Sequence, residues 1–430
     1  MHSTPIIMQP VSALSPAPRN ARTHSPKQIR QIAASIERFG FINPVLIDAA
    51  GQIIAGHGRV AAAKQLGLAD VPTLRIDHLS DDEKRAYVIA DNRLAELAGW
   101  DMEILSVELA DLGSLDLDFN IELTGFDTPE IDNLFSPAEA ADDTEDLPEI
   151  DPDADPITAP GDLWQLGRHW LYCGDALEAQ SYDVLLHGAM ADMVITDPPY
   201  NVPIDGHVCG LGQIKHQDFA MASGEMSEAE FTRFLTQICK AMAQHSKAGA
   251  LQYIFMDWRH MAELLAAGQA AYGDLINLCV WNKANGGMGS LYRSKHELVF
   301  VFKNGLNDPK AKHINNVALG KHGRNRTNVW DYAGVNSLRE GRLDELAMHP
   351  TVKPTQLIAD AILDASPRNG HVLDPFAGSG STILAADRTG RTAYAMELSP
   401  LYVDVAIKRF EAATGISAVH AASGLCFAEL

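Results

Sequence analysis

Residues Asp197-Pro198-Pro199-Tyr200 put a carboxylate, two prolines and an aromatic ring in four consecutive positions. Each proline fixes φ and removes a backbone N–H, so the segment presents acceptors on a stiff loop. Asp197 and the Pro198 carbonyl can accept both hydrogens of an exocyclic amino group, and Tyr200 offers a flat face on which a base can stack. The lone pair of such an amino nitrogen is delocalised into its ring, so it attacks poorly. Two acceptors holding its hydrogens favour a pyramidal nitrogen with the lone pair aimed at a methyl donor, which is transition-state electrostatics combined with positioning. The alternative reading is a strand end closed by a Pro-Pro turn, with Asp197 capping a helix.

A second set begins 177 residues after Asp197, in Asp374, the loop Pro375-Phe376-Ala377-Gly378-Ser379-Gly380, and Glu397. Glycines let backbone approach a ligand, and an acid after the following strand can hold a ribose diol. S-adenosylmethionine and NAD both present such a ribose, so this spacing leaves both open, together with a plain strand-to-helix turn.

These residues need a parallel α/β sheet beneath them, because open sheets of that kind carry their sites at the strands' carboxyl ends. Ala191 to Thr196 (ADMVIT) reads as a buried strand ending at Asp197. His371 to Asp374 reads as a strand, Ser381 to Arg388 as a helix and Arg391 to Met396 as the next strand. His349-Pro350-Thr351-Val352-Lys353-Pro354 leads the preceding helix. His296-Glu297 opens an apolar strand (LVFVF); a single adjacent pair lacks metal-ligand spacing, so a structural role is expected for it and no metal site anywhere.

The chain has 430 residues, enough for two or three domains. No apolar run approaches the roughly 20 residues of a membrane helix, and the first residues do not resemble a secretory signal. Five scattered cysteines without a CxxC pair fit a reducing cytosol, so a cytoplasmic location is expected. The net charge of −22 is uneven. Residues 96–160 hold 20 Asp/Glu and no Lys or Arg, whereas 281–342 hold 11 Lys/Arg against 4 Asp/Glu. Local potential governs contact with a polyanion, so the acidic total does not exclude DNA. We expect an acidic, mostly helical extension over 96–135, an acidic Pro-rich linker over 136–160, and a short tail over 413–430.

Near the N-terminus, Ser25-Pro26-Lys27-Gln28 predicts a helix start with a capping box, and Gly40 a helix stop. Strands are expected at 44–48, 52–55 and 71–76. Gly56-His57-Gly58-Arg59 opens a helix with free N–H groups and a cation, which suits a phosphate. The competing reading is a tight turn whose Arg59 pairs with a carboxylate.

Two resemblances follow. Residues 15–95, through SIERFGFINPVLID, IIAGHGRVAAAKQLG and VPTLRID, resemble the ParB/sulfiredoxin-like fold. In that family the GxxR segment lines a nucleotide-phosphate pocket, which would involve Gly56, His57 and Arg59. No cysteine precedes Cys173, which excludes sulfiredoxin chemistry. The acidic window stands where a partition protein would carry a basic helix-turn-helix, so residues 1–95 read as an accessory ParB-like module. Residues 161–412 resemble the β-group of S-adenosylmethionine-dependent DNA amino-methyltransferases. The matching pieces are LYCGDAL, MVITDPPYN, WNKANGGMGSLYRSKHELVFVFKNG, HPTVKP, VLDPFAGSGST and AYAMELSPLYVDVAIKRF, in that order.

This resemblance implies an α/β fold: a Rossmann-like seven-stranded methyltransferase sheet behind a small α+β ParB-like domain. It implies a site-specific methyltransferase for double-stranded DNA, acting on a base extruded from the duplex. Asp197, Pro198, Pro199 and Tyr200 would hold that base. Asp374, Phe376, Gly378 and Gly380 would line the methionine end of the cofactor, Glu397 its ribose, Asp175 its adenine edge, and Lys353 its carboxylate or simply solvent. The insert over 281–348 would face DNA through Lys283, Arg293, Lys295, Lys310, Lys312, Lys321, Arg324 and Arg326, with Asn285 or Asn325 at a base edge. Aspartate at the first position of the tetrapeptide favours adenine N6, since cytosine N4 enzymes often carry serine there. A restriction partner and a homodimer are family expectations. The remaining alternatives are N4-cytosine methylation, a binding protein with an inactive methyltransferase half, and a nicotinamide-dependent oxidoreductase.

Overall fold

Met193 and Ile195 join one apolar layer while Val194, between them, joins another. A strand that is apolar on both faces must be covered on both sides, and helices supply the cover. In the computed structural model this strand is β7 (Ala191–Thr196), with the predicted bounds. The structure describes residues 5–115, 119–135, 155–201, 224–283, 291–320, 324–333 and 352–430. The chain forms two compact units, Met1–Phe135 and Ser136–Leu430.

In the first unit, strands β1 (Ile6–Pro10), β2 (Val45–Ile47), β3 (Ile53–Ala55) and β4 (Asp70–Arg75) form a sheet in the order β1-β4-β2-β3. Helices α1 (Pro26–Phe39) and α2 (His57–Gln65) accompany it. The Ser25 hydroxyl accepts the Gln28 N–H at 3.1 Å, but the Gln28 side chain turns to His24, so half of the predicted capping box forms. Helices α3 (Asp81–Leu97), α4 (Met102–Ser114) and α5 (Thr128–Phe135) follow; Leu109 and Ile131 are buried in a small core of their own.

In the second unit, β5 (Leu163–Leu166), β6 (His169–Cys173), β7, β8 (Ser246–Met256), β9 (Gly273–Asn282), β10 (His296–Asn304), β11 (Val329–Asp331), β12 (His371–Asp374), β13 (Thr392–Glu397) and β14 (Ala418–His420) form one sheet. Its order is β11-β9-β10-β8-β7-β12-β13-β6-β5-β14. The central five, β8 to β6, are parallel, and β10 runs against them. The expected seven strands are the run from β9 to β6; three more extend the edges. Two of the extra strands, β5 and β14, pair antiparallel beyond β6.

Helices α6 (Ala179–Leu186), α7 (Glu228–Gln244) and α8 (Met261–Ala271) cover one face, through Tyr182, Phe231 and Leu264. Helices α9 (Thr355–Ala365), α10 (Ser381–Arg388) and α11 (Pro400–Thr414) cover the other, through Ile358, Ile383 and Phe410. Two segments differ from expectation. The tail completes the sheet as β14 and buries Phe427. Ile157 and Thr158, placed in the linker, donate their N–H groups to Asp404 of α11. Both contacts join residues distant in sequence, so composition could not show them.

Candidate active site

Parallel strands end together, so β6, β7, β12 and β13 bring Asp175, Asp197, Asp374 and Glu397 to one edge of the sheet. Thr196, the last residue of β7, donates its hydroxyl to Asp374 Oδ1 at 2.7 Å. The Thr382 hydroxyl donates to Asp374 Oδ2 at 2.6 Å and the Phe376 N–H to Oδ1 at 3.1 Å. Asp374 therefore braces the strand end and the glycine turn with both oxygens. Burial pushes its carboxyl up to about 6 against those hydrogen bonds, and nearby Asp197 adds to the rise.

The glycine turn is closed from the next strand. Gly378 N–H donates to Glu397 Oε2 and Ser399 N–H to Oε1, both at 2.9 Å. Gly378 and Gly380 take φ of +52° and +80°, left-handed values that an L side chain rarely adopts. Asp175 accepts the Leu177 N–H at 2.8 Å in the turn after β6. Arg409, buried on α11, donates to Ser379 and Ser381 of the glycine loop and to Thr355 at the start of α9.

Around Asp197 the structure assembles more than the sequence suggested. Tyr200 Oη–H donates to Asp197 Oδ1 and also lies 3.3 Å from Glu297 Oε2. Lys353 Nζ pairs with Asp197 Oδ2 and stands 3.2 Å from Glu297 Oε2, while Lys283 Nζ pairs with Glu297 Oε1. Lys353 is 6% exposed and stands over the rings of Phe255 and Tyr200. So Lys353, assigned to a cofactor carboxylate or to solvent, is a buried partner of Asp197. Glu297, expected to be structural, is a buried member of the same cluster. Lys353 lies 156 residues from Asp197 and Glu297 lies 97 from Tyr200, separations that local patterning cannot bridge. A cue existed in each case: a charge opening an otherwise apolar strand, and a lysine two residues before a helix.

Burial raises the Asp197 carboxyl and Lys353 opposes it. Burial also acts upward on Glu297, but Lys353 and Lys283 together hold it down at about 2. The cluster comprises two carboxylates and two ammonium groups, which balance.

The basic segment divides. Arg293, Lys295, Lys310 and Lys312 are exposed. Arg324 and Arg326 instead pair with Asp360 and Asp364 of α9, and Arg326 also donates to Tyr332 Oη at 2.6 Å. Lys283 is committed to Glu297. These three cations, expected at phosphates, are spent within the protein, because carboxylates that no local spacing reveals fold against them. Lys321 and Asn285 lie outside the described residues. Among the described residues no metal-binding cluster occurs, and no helix is long and apolar enough to cross a membrane.

In the first unit, His57 Nε2 accepts the Ala17 N–H at 3.2 Å, so this ring anchors a loop and stays unprotonated at that nitrogen. Burial lowers its pKa, with His24 adding to the effect. Gly56 adopts φ +103° at the start of α2. Arg59 Nε is buried and has no hydrogen-bond partner.

Comparison with known proteins matches a DNA methylase family model over residues 191–408, just over half of the chain. The chain belongs to the N6/N4 DNA methylase family. The methylase also matches the ParB N-terminal domain over residues 1–93 and a ParB-methyltransferase helix-turn-helix domain over 103–160. The latter falls on the acidic window, where no such module was expected. Apolar spacing, not charge sign, builds helices, and α4 and α5 lie there. The ParB-like nuclease domain-containing protein YnaK of Escherichia coli is 50% identical over 80 residues, 19% of this chain and 92% of its own. Type II methyltransferase M.ScaI of Streptomyces caespitosus is 26% identical over 261 residues, 56% of this chain and 81% of its own. The solved M1.HpyAVI–SAM complex aligns over 56% of this chain and 98% of its own, at 20% identity and a TM-score of 0.39.

The methylase is an S-adenosylmethionine-dependent enzyme, and its strand-end residues fit that cofactor. A Cβ at Gly378 would meet nothing within 4 Å, so open space lies against bare loop backbone. A carboxylate offers about four acceptor sites, more than the N–H groups of Gly378, Ser399 and Leu398 take from Glu397.

Proposed function

We propose that this DNA methyltransferase modifies adenine N6 in double-stranded DNA, with Asp197 and the Pro198 carbonyl accepting the amino hydrogens. The observation that carries the reading is the Thr196–Asp374 hydrogen bond, which joins the base-holding loop to the glycine turn at one sheet edge. Bound S-adenosylmethionine supplies a methyl group on a sulfonium centre. Gly378 and Gly380, with Phe376 on the same turn, would hold its methionine end, Asp175 would hold its adenine edge, and Glu397 would accept its ribose hydroxyls. Tyr200 stacks on the extruded base while Pro199 stiffens the loop. Asp197 shares its oxygens between Tyr200, Lys353 and the incoming amino group. A base within a duplex cannot reach this loop, so extrusion precedes transfer, at about a few kcal/mol. Exposed Arg293, Lys295, Lys310 and Lys312 are the phosphate contacts we propose among the described residues.

Aspartate at position 197 supports adenine over cytosine. Transfer of a labelled methyl group to duplex DNA, followed by nucleoside mass spectrometry, tests this. N6-methyladenosine is expected, and N4-methylcytosine would overturn the base assignment. Asp197→Ala should lower transfer at least about a hundredfold with cofactor affinity retained; an active variant would refute the assignment of Asp197.

The unpaired Arg59 Nε beside the Gly56 turn supports a second reading, a nucleotide phosphate bound by the N-terminal unit. Arg59→Ala should abolish nucleotide binding measured by calorimetry on the full chain.

A further inference from the structure

Three segments that share no local sequence relation meet at Asp197. Tyr200 comes from its own loop, Glu297 from the start of β10, and Lys353 from the stretch before α9. Lys283, just past β9, closes the far side of Glu297. Lys353 is held between two carboxylates and above two aromatic rings. Removing an ammonium from this arrangement would leave two buried carboxylates facing one another across Tyr200.

We propose that Lys353 and Glu297 are positioning residues for methyl transfer. Lys353 holds the Asp197 carboxylate ionised and oriented as a hydrogen-bond acceptor, and Glu297 holds Lys353 in place. This rests on the amino-methyltransferase reading above and assigns the electrostatic control of that same site. Neither residue touches the amino group or the methyl donor in this scheme; each acts through Asp197.

The charged and titratable groups facing Asp197 among the described residues are Lys353, Glu297, Tyr200 and Asp374. They make opposite predictions for two variants. Lys353→Met removes the cation that favours ionised Asp197, so Asp197 should protonate at higher pH. Glu297→Gln removes an anion that disfavours it, so Asp197 should protonate at lower pH. Charges at this range shift a carboxyl by about one to three pH units.

The experiment uses the full chain and the variants Lys353→Met, Lys353→Arg and Glu297→Gln. Two quantities are read: the acid limb of kcat/KM for methyl transfer to duplex DNA, and the Asp197 carboxyl titration by carbon NMR. Lys353→Met should move both upward by about one pH unit or more and lower kcat more than it changes KM for DNA. Glu297→Gln should move both downward. Lys353→Arg should recover most of the wild-type profile. Shifts in the same direction for Lys353→Met and Glu297→Gln, or no shift in either, would overturn the proposal. The carboxyl titration needs no turnover. A wild-type chain that transferred no methyl group would therefore sink the functional reading, while the titration still decided this one. Should Lys353→Met fail to fold, Glu297→Gln and Lys353→Arg decide the outcome, because a merely structural lysine predicts an unmoved acid limb in Glu297→Gln.

Discussion

The Thr196 hydroxyl donates to Asp374 Oδ1 at 2.7 Å, joining the residue before the DPPY loop to the residue before the glycine loop. Adjacent parallel strands make the contact available, since β7 and β12 pair at Met193–Val372 and Val194–Leu373. The DPPY loop and the glycine turn thus share one edge of the sheet, and neither can drift without breaking a buried hydrogen bond.

Thr196→Val keeps the side-chain shape and deletes that bond. It should destabilise the protein by about 1–3 kcal/mol, because a buried carboxylate oxygen loses a donor. Denaturant unfolding measures the loss, and cofactor affinity should weaken in parallel. Unchanged stability would mean that the two loops are held independently.

The two glycines of the turn should respond differently. Both need left-handed backbone, but a Cβ at Gly380 would lie 2.9 Å from Ala406 Cβ, whereas one at Gly378 meets open space. Gly378→Ala should cost about 1–2 kcal/mol of stability yet remove most cofactor affinity, since the new methyl group would occupy the space proposed for the ligand. Gly380→Ala should lower the melting temperature further. Isothermal titration and thermal unfolding of both variants separate the effects.

Asp374 carries a pH signature. Its folded-state pKa, about 6, stands above the ordinary carboxylate value. The unfolded state therefore releases this proton first as pH rises. The stabilising contribution is complete below about pH 4 and is lost through pH 6, by about 3 kcal/mol in total. Asp374→Asn cannot ionise, so the stability of wild type relative to this variant should fall between pH 4 and 7. A constant difference across that range would show that Asp374 is ionised throughout.

The salt dependence of DNA binding should sort the basic residues. Replacing exposed Arg293 or Lys295 by alanine should reduce the slope of log K against log salt by about one each. Arg324 and Arg326 face Asp360 and Asp364. Arg326→Leu should leave the slope unchanged while destabilising the protein by about 1–3 kcal/mol, because Asp364 Oδ2 loses a donor while Arg324 stays paired with Oδ1. A reduced slope for Arg326→Leu would return that residue to the DNA face.

The sequence by itself determined the strand-turn-helix units. β7, β12 and α10 have the bounds that apolar runs and turn residues predict, because propensity, capping and glycine conformation act within a few residues of the chain. Tertiary structure alone decided which charges meet. It drew Lys353 and Glu297 to Asp197, turned Arg324 and Arg326 inward, and stitched the tail into the sheet as β14. Each of these contacts joins segments far apart in the chain, where a charge chooses its partner by burial and sheet order, neither of which leaves a periodic trace in the residues themselves.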